Sequence, residues 1–203
     1  MIRRVIFDFG KVLVHFEPAD MVGQYISDPA DAAITEEVLF DRLYWDKADA
    51  GTITDEELLE AVRGRLPARL WDTAAEIYRN WIYMLPEIDG MRALLEDLKG
   101  AHVPLALLSN ISSYFADHSD EIPILSFFEH RVFSAVCGMT KPHRDIFEHV
   151  CALCDCAPED ALFIDDSALN IDGAKQAGLQ TYHFDGNADA LRRFLTENGL
   201  LSA

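Results

Sequence analysis

Basic side chains are scarce in this chain. Seventeen Lys and Arg stand against 35 Asp and Glu, for a net charge of −18. Nucleic acid and anionic membranes are bound mainly through Lys and Arg, so this balance argues against both as partners. It also requires any phosphate site to carry its own local positive charge. No apolar run approaches the ~20 residues of a membrane span. The Met1-Ile2-Arg3-Arg4 start is basic, but Val5 to Phe7 is too short for a signal-peptide core and Asp8 interrupts it. A cytoplasmic protein with reduced cysteines is expected. Cysteine is sparse too, and three of the four cluster in His149-Val150-Cys151-Ala152-Leu153-Cys154-Asp155-Cys156. Cys-x-x-Cys beside His can hold zinc, but no second Cys-x-x-Cys is present. Ile146, Val150, Leu153 and Cys154 fall at helical spacing, which favours a packed apolar stripe instead. Internal repeats, linkers and low-complexity tracts are lacking.

What is present begins with Val5-Ile6-Phe7-Asp8-Phe9-Gly10-Lys11-Val12-Leu13-Val14. Two apolar runs flank one carboxylate and one glycine. Val5 to Phe7 reads as a short buried strand. An isolated buried carboxylate costs several kcal/mol or more to desolvate. Asp8 therefore sits at an open strand end, caps a turn before Gly10, or holds a cation. With 203 residues, half of them hydrophobic, the chain can bury a real core as one domain, with or without an insertion.

From about residue 18 to 85 the pattern is helical. Thr54-Asp55-Glu56-Glu57 is a capping box, followed by Leu58, Leu59 and Val62 on one face and by Gly64 as a stop. Pro67 opens another helix through Trp71, Ile77, Tyr78 and Trp81. All three Trp (45, 71, 81) lie in this block, where packing is the favoured role. From Pro86 onward helices and strands alternate. Met91, Leu94, Leu95 and Leu98 follow the i, i+3, i+4, i+7 rule. Val103 to Leu108 is a continuous apolar run of the kind buried on both faces. Arg131 to Phe133, Ala161 to Ile164 and Leu179 to Phe184 are further strands, with helices from about 111, 143 and 167 and a closing one around Leu191. This rhythm predicts an α/β fold: a parallel sheet with flanking helices and a small inserted all-helical block.

Polar residues recur at one structural position. Asp8, Ser109-Asn110 and Asp165-Asp166 each follow an apolar strand at its carboxyl end, where doubly wound sheets bind ligands. Lys141 lies in a loop before a helix and can lean into the same crevice. Asp8, Asp165 and Asp166 suit a hard cation with oxygen ligands, most simply Mg²⁺. The cation, Lys141 and Ser109 together can hold a phosphate, and a carboxylate touching that phosphate can act as nucleophile.

Four ordered segments carry a resemblance: Phe7-Asp8-Phe9-Gly10-Lys11-Val12-Leu13, Leu107-Leu108-Ser109-Asn110, Thr140-Lys141-Pro142, and Phe163-Ile164-Asp165-Asp166-Ser167-Ala168-Leu169-Asn170. They resemble the four motifs of the haloacid dehalogenase (HAD) superfamily, over essentially the whole chain. The Asp8-x-Gly10 form, Asp165-Asp166-x-x-x-Asn170 and the Gly51-Thr52-Ile53-Thr54 turn are similar to the branch of sugar-1-phosphate phosphatases. The resemblance implies a Rossmann-like core at 1–15 and 87–203 and a helical cap at 16–86. It implies Asp8 as nucleophile and Mg²⁺ ligand, with the Gly10 carbonyl as a second ligand. Asp166 would bind the metal directly and Asp165 through water. Ser109 and the Asn110 backbone would hold phosphoryl oxygens, and Lys141 would neutralise charge on Asp8 and the phosphoryl group. The expected substrate is a small phosphorylated metabolite.

One departure matters. Most phosphatases of this superfamily carry a second Asp two residues after the nucleophile, as acid and base; here that position is Gly10. Such catalysis is worth ~10²–10⁴-fold in rate. A sugar 1-phosphate, with its more acidic anomeric oxygen, would suffer least from the loss. The alternative is a binding or regulatory protein on the same fold, and a metal-free dehalogenase is a third reading that the Asp165-Asp166 pair opposes. Lys11 replaces the usual Gly or Asn of that branch and is expected to face solvent. His15 is expected to be a bystander. Trp45, Asp46 and Lys47 are candidate cap residues facing the substrate.

Overall fold

Residues 2–202 are described by a computed structural model. Strand β1 (Arg4–Phe7) is buried over its last three residues. It sits in the middle of a parallel sheet of order β3-β2-β1-β4-β5, in which β2 is Leu105–Ser109, β3 His130–Phe133, β4 Ala161–Asp165 and β5 Gln180–His183. Val5 lies opposite both Leu105 and Leu162, and Phe7 opposite Leu107 and Ile164. β2 and β4 are buried at every position, as unbroken apolar runs require when helices cover both faces. The pleat then divides each run in two. Val5, Phe7, Leu107 and Ile164 enter one apolar cluster, while Ile6, Leu108 and Phe163 enter the other. Polar Gln180 and His183 leave the ends of β5 exposed at the sheet edge.

Between β1 and the sheet-covering helices lie α1 (Pro18–Gly23), α2 (Pro29–Leu39), α3 (Arg42–Asp49), α4 (Asp55–Arg63) and α5 (Trp71–Asn80). The expected capping box opens α4: the Glu57 amide donates to Thr54 Oγ1 (3.2 Å) and the Thr54 amide to Glu57 Oε2 (2.9 Å). Pro67 does not start an α-helix directly. A 3-10 turn at Ala68–Leu70 comes first, and another at Trp81–Tyr83 follows α5. The block packs on the sheet through aromatics: Trp81 stacks on Phe115, which meets Phe9. A second fastening lies at its tip. Gly51 has φ +67°, and a Cβ there would lie 2.5 Å from the Ala135 carbonyl oxygen. Glycine is needed for both the left-handed turn and the close approach.

The remaining helices are α6 (Met91–Gly100), α7 (Ser113–His118), α8 (Ser134–Cys137), α9 (Arg144–Leu153), α10 (Ala168–Gln176) and α11 (Ala188–Glu197). Met91, Leu94, Leu95 and Leu98 are fully buried in α6, as their spacing predicts. The α9 stripe differs from the expected one. Ile146, Phe147, Val150, Cys151 and Cys154 are buried, whereas Leu153 is 45% exposed. The stripe is centred between Ile146 and Cys151, so Leu153 falls just past its edge. Burial pushes the Cys151 thiol up to about 12 and the Cys154 thiol to about 11, the behaviour of small core residues. No helix among the described residues is long and apolar enough to cross a membrane.

Candidate active site

β1, β2 and β4 are neighbours, so their carboxyl ends bring Asp8, Ser109 and Asp165 together where the strand order reverses. A cavity of about 700 Å³ opens above them, with Asp8, Gly10, Ser109, Asn110, Lys141 and Asp166 in its wall. Lys141 arrives from the loop between α8 and α9. The Asn110 side chain clamps its backbone, accepting from the Lys141 amide (2.8 Å) and donating to its carbonyl (2.9 Å). Behind it, Gly173 lets α10 approach so closely that a Cβ would lie 2.3 Å from the Pro142 carbonyl oxygen. Thus held, the Lys141 ammonium reaches Asp8 Oδ1 and Asp165 Oδ2, each at 2.8 Å.

The adjacent carboxylates at the end of β4 are used differently. Asp165 is fully buried and does not line the cavity. It accepts from Lys141, from the Ser167 amide (2.8 Å) and from Asn170 Nδ2 (3.1 Å to each oxygen). Asp166 is half-buried and faces the cavity. Burial raises Asp8 to about 7: Asp165 adds to the shift, while Lys141 and the Phe9 amide (2.7 Å) oppose it. Burial disfavours the charged Lys141, but Asp8 and Asp165 together outweigh it and its pKa is raised. Asp166 is raised by burial and by Asp165, with Lys11 and Lys141 opposing.

This donor set fits a divalent cation. Asp8, Asp165 and Asp166 each offer an oxygen, and the three atoms lie within 4.8 Å of one another. Three carboxylates facing one ammonium leave two negative charges to balance. All are hard oxygen donors, suited to Mg²⁺ rather than to a soft metal.

The expected residues Asp8, Gly10, Ser109, Asn110, Lys141, Asp165 and Asp166 thus converge on one place. Lys11 is exposed, as anticipated, yet stands at the cavity rim with φ +59° and acts on Asp166. The left-handed backbone there is the conformation that Gly or Asn adopts most readily. His15 is exposed and off the cavity wall. Of the cap candidates, Trp45 and Asp46 line the cavity; Lys47 instead lies over the Tyr44 ring. Trp45 and Trp81 both pack and face the cavity, so packing alone does not describe them. Missed by sequence reasoning were Arg42 and Asp49 on α3 and the aromatic wall of Phe16 and Phe40. The signal available was the helical spacing of Arg42, Trp45, Asp46 and Asp49, which share one face.

Sheet order, a helical insertion after β1 and the acid–lysine cluster at the switch point define a Rossmann-like α/β protein with a built active-site crevice. The family model of haloacid dehalogenase-like hydrolases matches residues 2–178, and the chain belongs to that family. A D-ribitol-5-phosphate phosphatase of Bacteroides thetaiotaomicron is 25% identical over 199 residues, spanning 93% of this chain and 95% of the relative. A HAD-like hydrolase of Porphyromonas gingivalis superposes with a TM-score of 0.71 at 26% identity, covering 96% of this chain and 98% of that one. A HAD enzyme of B. thetaiotaomicron, solved with magnesium and inorganic phosphate, superposes at 0.68 and 22% identity, covering 96% and 100%; at that identity the likeness speaks for the fold.

Proposed function

We propose that this protein is a Mg²⁺-dependent phosphatase that hydrolyses a small phosphomonoester through a phosphoryl group carried on Asp8. One observation carries the reading: three carboxylate oxygens within 4.8 Å of one another, two of them on the cavity wall, beside a buried lysine. A non-catalytic fold has no physical need of so costly a cluster. The relative named for D-ribitol 5-phosphate supports the reaction class.

In this scheme the free oxygen of Asp8 attacks phosphorus and the leaving oxygen departs with its bonding pair. Lys141 keeps Asp8 ionised and meets the charge on the phosphoryl oxygens, while Asp165, Ser167 and Asn170 keep Lys141 aimed. Ser109 and the Asn110 backbone receive phosphoryl oxygens; the Asn110 side chain is already committed to Lys141. Asp166, Asp8 and the Gly10 carbonyl would hold the metal, with Asp165 behind them. The bound ion would draw charge from the phosphoryl group and set its in-line orientation. Residues 16–86 form the cap that selects the substrate, and 1–15 with 87–203 form the core. Within the class of small phosphomonoesters, Gly10 and the likeness of Asp165-Asp166-x-x-x-Asn170 and Gly51-Thr52-Ile53-Thr54 to the sugar-1-phosphate phosphatase branch favour a sugar 1-phosphate.

A panel of sugar and alkyl phosphates together with p-nitrophenyl phosphate tests this, with and without Mg²⁺ and with Asp8→Asn as blank. Phosphate release that needs Mg²⁺ and vanishes in Asp8→Asn is expected. Binding of phosphorylated compounds without any turnover would favour the regulatory alternative.

A further inference from the structure

Asp49 closes α3 inside the cavity. It is 9% exposed and shares the cavity wall with Asp8. Among the described residues, no hydrogen bond or ion pair engages its carboxylate, although buried carboxylates are rarely left unpaired. Its backbone, by contrast, is fixed to the core. The Ser134 hydroxyl donates to the Asp49 carbonyl (2.5 Å) and accepts from the Ile111 amide (2.8 Å). Two residues on, Gly51 presses against Ala135. The end of α3 is therefore held in register with the ends of β2 and β3.

The groups that face this carboxylate are Arg42 and Asp46 from its own helix, Asp8 and Lys141 from the core, and Tyr78 from α5. Burial is the largest influence on it and raises its pKa well above the usual range. A carboxyl in such a setting keeps a proton where a surface aspartate has lost it. That is the state a leaving alkoxide needs, and Gly10 has no side chain to supply it.

We propose that Asp49 is the acid and base of the reaction, acting from the inserted helices in place of the missing side chain at position 10. The inference rests on the phosphatase reading. In the first half, the Asp8 oxygen forms its bond to phosphorus. The phosphorus–oxygen bond to the leaving group breaks, its electron pair stays on that oxygen, and the Asp49 proton moves there to give the free alcohol. In the second half, the Asp49 carboxylate takes one proton from water as the water oxygen bonds to phosphorus. The bond to Asp8 breaks with its pair returning to Asp8. Asp49 is again protonated, and the net reaction is ester plus water to alcohol plus phosphate.

A leaving-group series separates this role from a structural one. Aryl phosphates from p-nitrophenyl to p-methoxyphenyl, with glycerol 2-phosphate as an alkyl member, are assayed on the Mg²⁺-loaded enzyme. For Asp49→Asn, kcat/KM is expected to stay within about threefold on p-nitrophenyl phosphate and to fall ~10²-fold or more on the alkyl ester. The dependence on leaving-group acidity should be shallow in the wild type and steep in the variant. An equal fall across the series, or no fall at all, overturns the inference. Asp49→Ser is the second variant, should Asp49→Asn melt early. The wild type is itself a test, because a steep dependence there means that no group protonates the leaving oxygen. Failure of the parent reading looks different: no ester is turned over at all, or turnover survives Asp8→Asn.

Discussion

Replacing Lys141 by Met tests the electrostatic core of the site. The side chains have similar length, so packing changes little, but the ammonium that meets both Asp8 and Asp165 is gone. Two buried carboxylates then face each other with no counter-charge. They can remain ionised at a cost or take up protons. Protonating one ordinary aspartate costs about 4 kcal/mol at pH 7 and about 1.5 kcal/mol at pH 5. The first figure agrees with the ~3–5 kcal/mol known for removing one partner of a buried pair. Asp8 is already raised to about 7 by burial in the wild type. A folded pKa above the unfolded value means the folded state holds more protons between about pH 4 and 7, so stability falls as pH rises through that window. Without Lys141, which opposes the rise, Asp8 shifts further upward and the window extends past pH 7. Urea melts of metal-free protein from pH 5 to 8 read this directly. With a slope of ~2 kcal/mol per molar, the variant should melt about 2 M earlier at pH 7 and recover most of that by pH 5. A variant within about 1 kcal/mol of wild type at pH 7, or a deficit that does not shrink on acidification, refutes the reasoning.

Three further outcomes follow from the packing. Gly173→Ala drives a methyl against the Pro142 carbonyl; urea melts should show a loss of ~1–3 kcal/mol despite better helix propensity, and activity should fall through displaced Lys141. Unchanged activity would mean that α10 does not set that loop. Lys11→Gly relieves the left-handed residue at φ +59° and should raise stability by about 0.5–1 kcal/mol in the same assay. Thiol labelling with a disulfide reagent at pH 8 should mark the half-buried Cys137 and Cys156 quickly and leave Cys151 and Cys154 slow until urea is added, as their raised pKa values require. Four fast thiols in folded protein would contradict their core placement.

Much of the fold was legible because β1, β2 and β4 are unbroken apolar runs that stop on a polar residue. Only a strand end in a doubly wound sheet makes that pattern useful, so the same residues marked the crevice. β5 was less plain, since its Gln180-Thr181-Tyr182-His183 core is polar at an exposed edge. The division of labour between Asp165 and Asp166 falls where β4 ends: Asp165 is its last, buried residue and Asp166 the first beyond it, on the cavity wall. The shared face of Arg42, Trp45, Asp46 and Asp49 was legible, but that this face and the aromatic wall meet the site was not. Their place in the site is made by the docking of the inserted helices on the core, through Gly51, Ser134 and the Trp81–Phe115 stack. Those contacts join residues 34 to 85 positions apart, and no local pattern announces them.

In the proposed reaction Asp8 takes up the phosphoryl group. The most direct measurement is an acid quench during turnover of a ³²P-labelled phosphomonoester with Mg²⁺, followed by borohydride reduction and peptide mass spectrometry. Base-labile label on the enzyme and reduction at position 8 alone are expected, with Asp166 untouched. Steady turnover with no label on the protein, or label on any other residue, would contradict it.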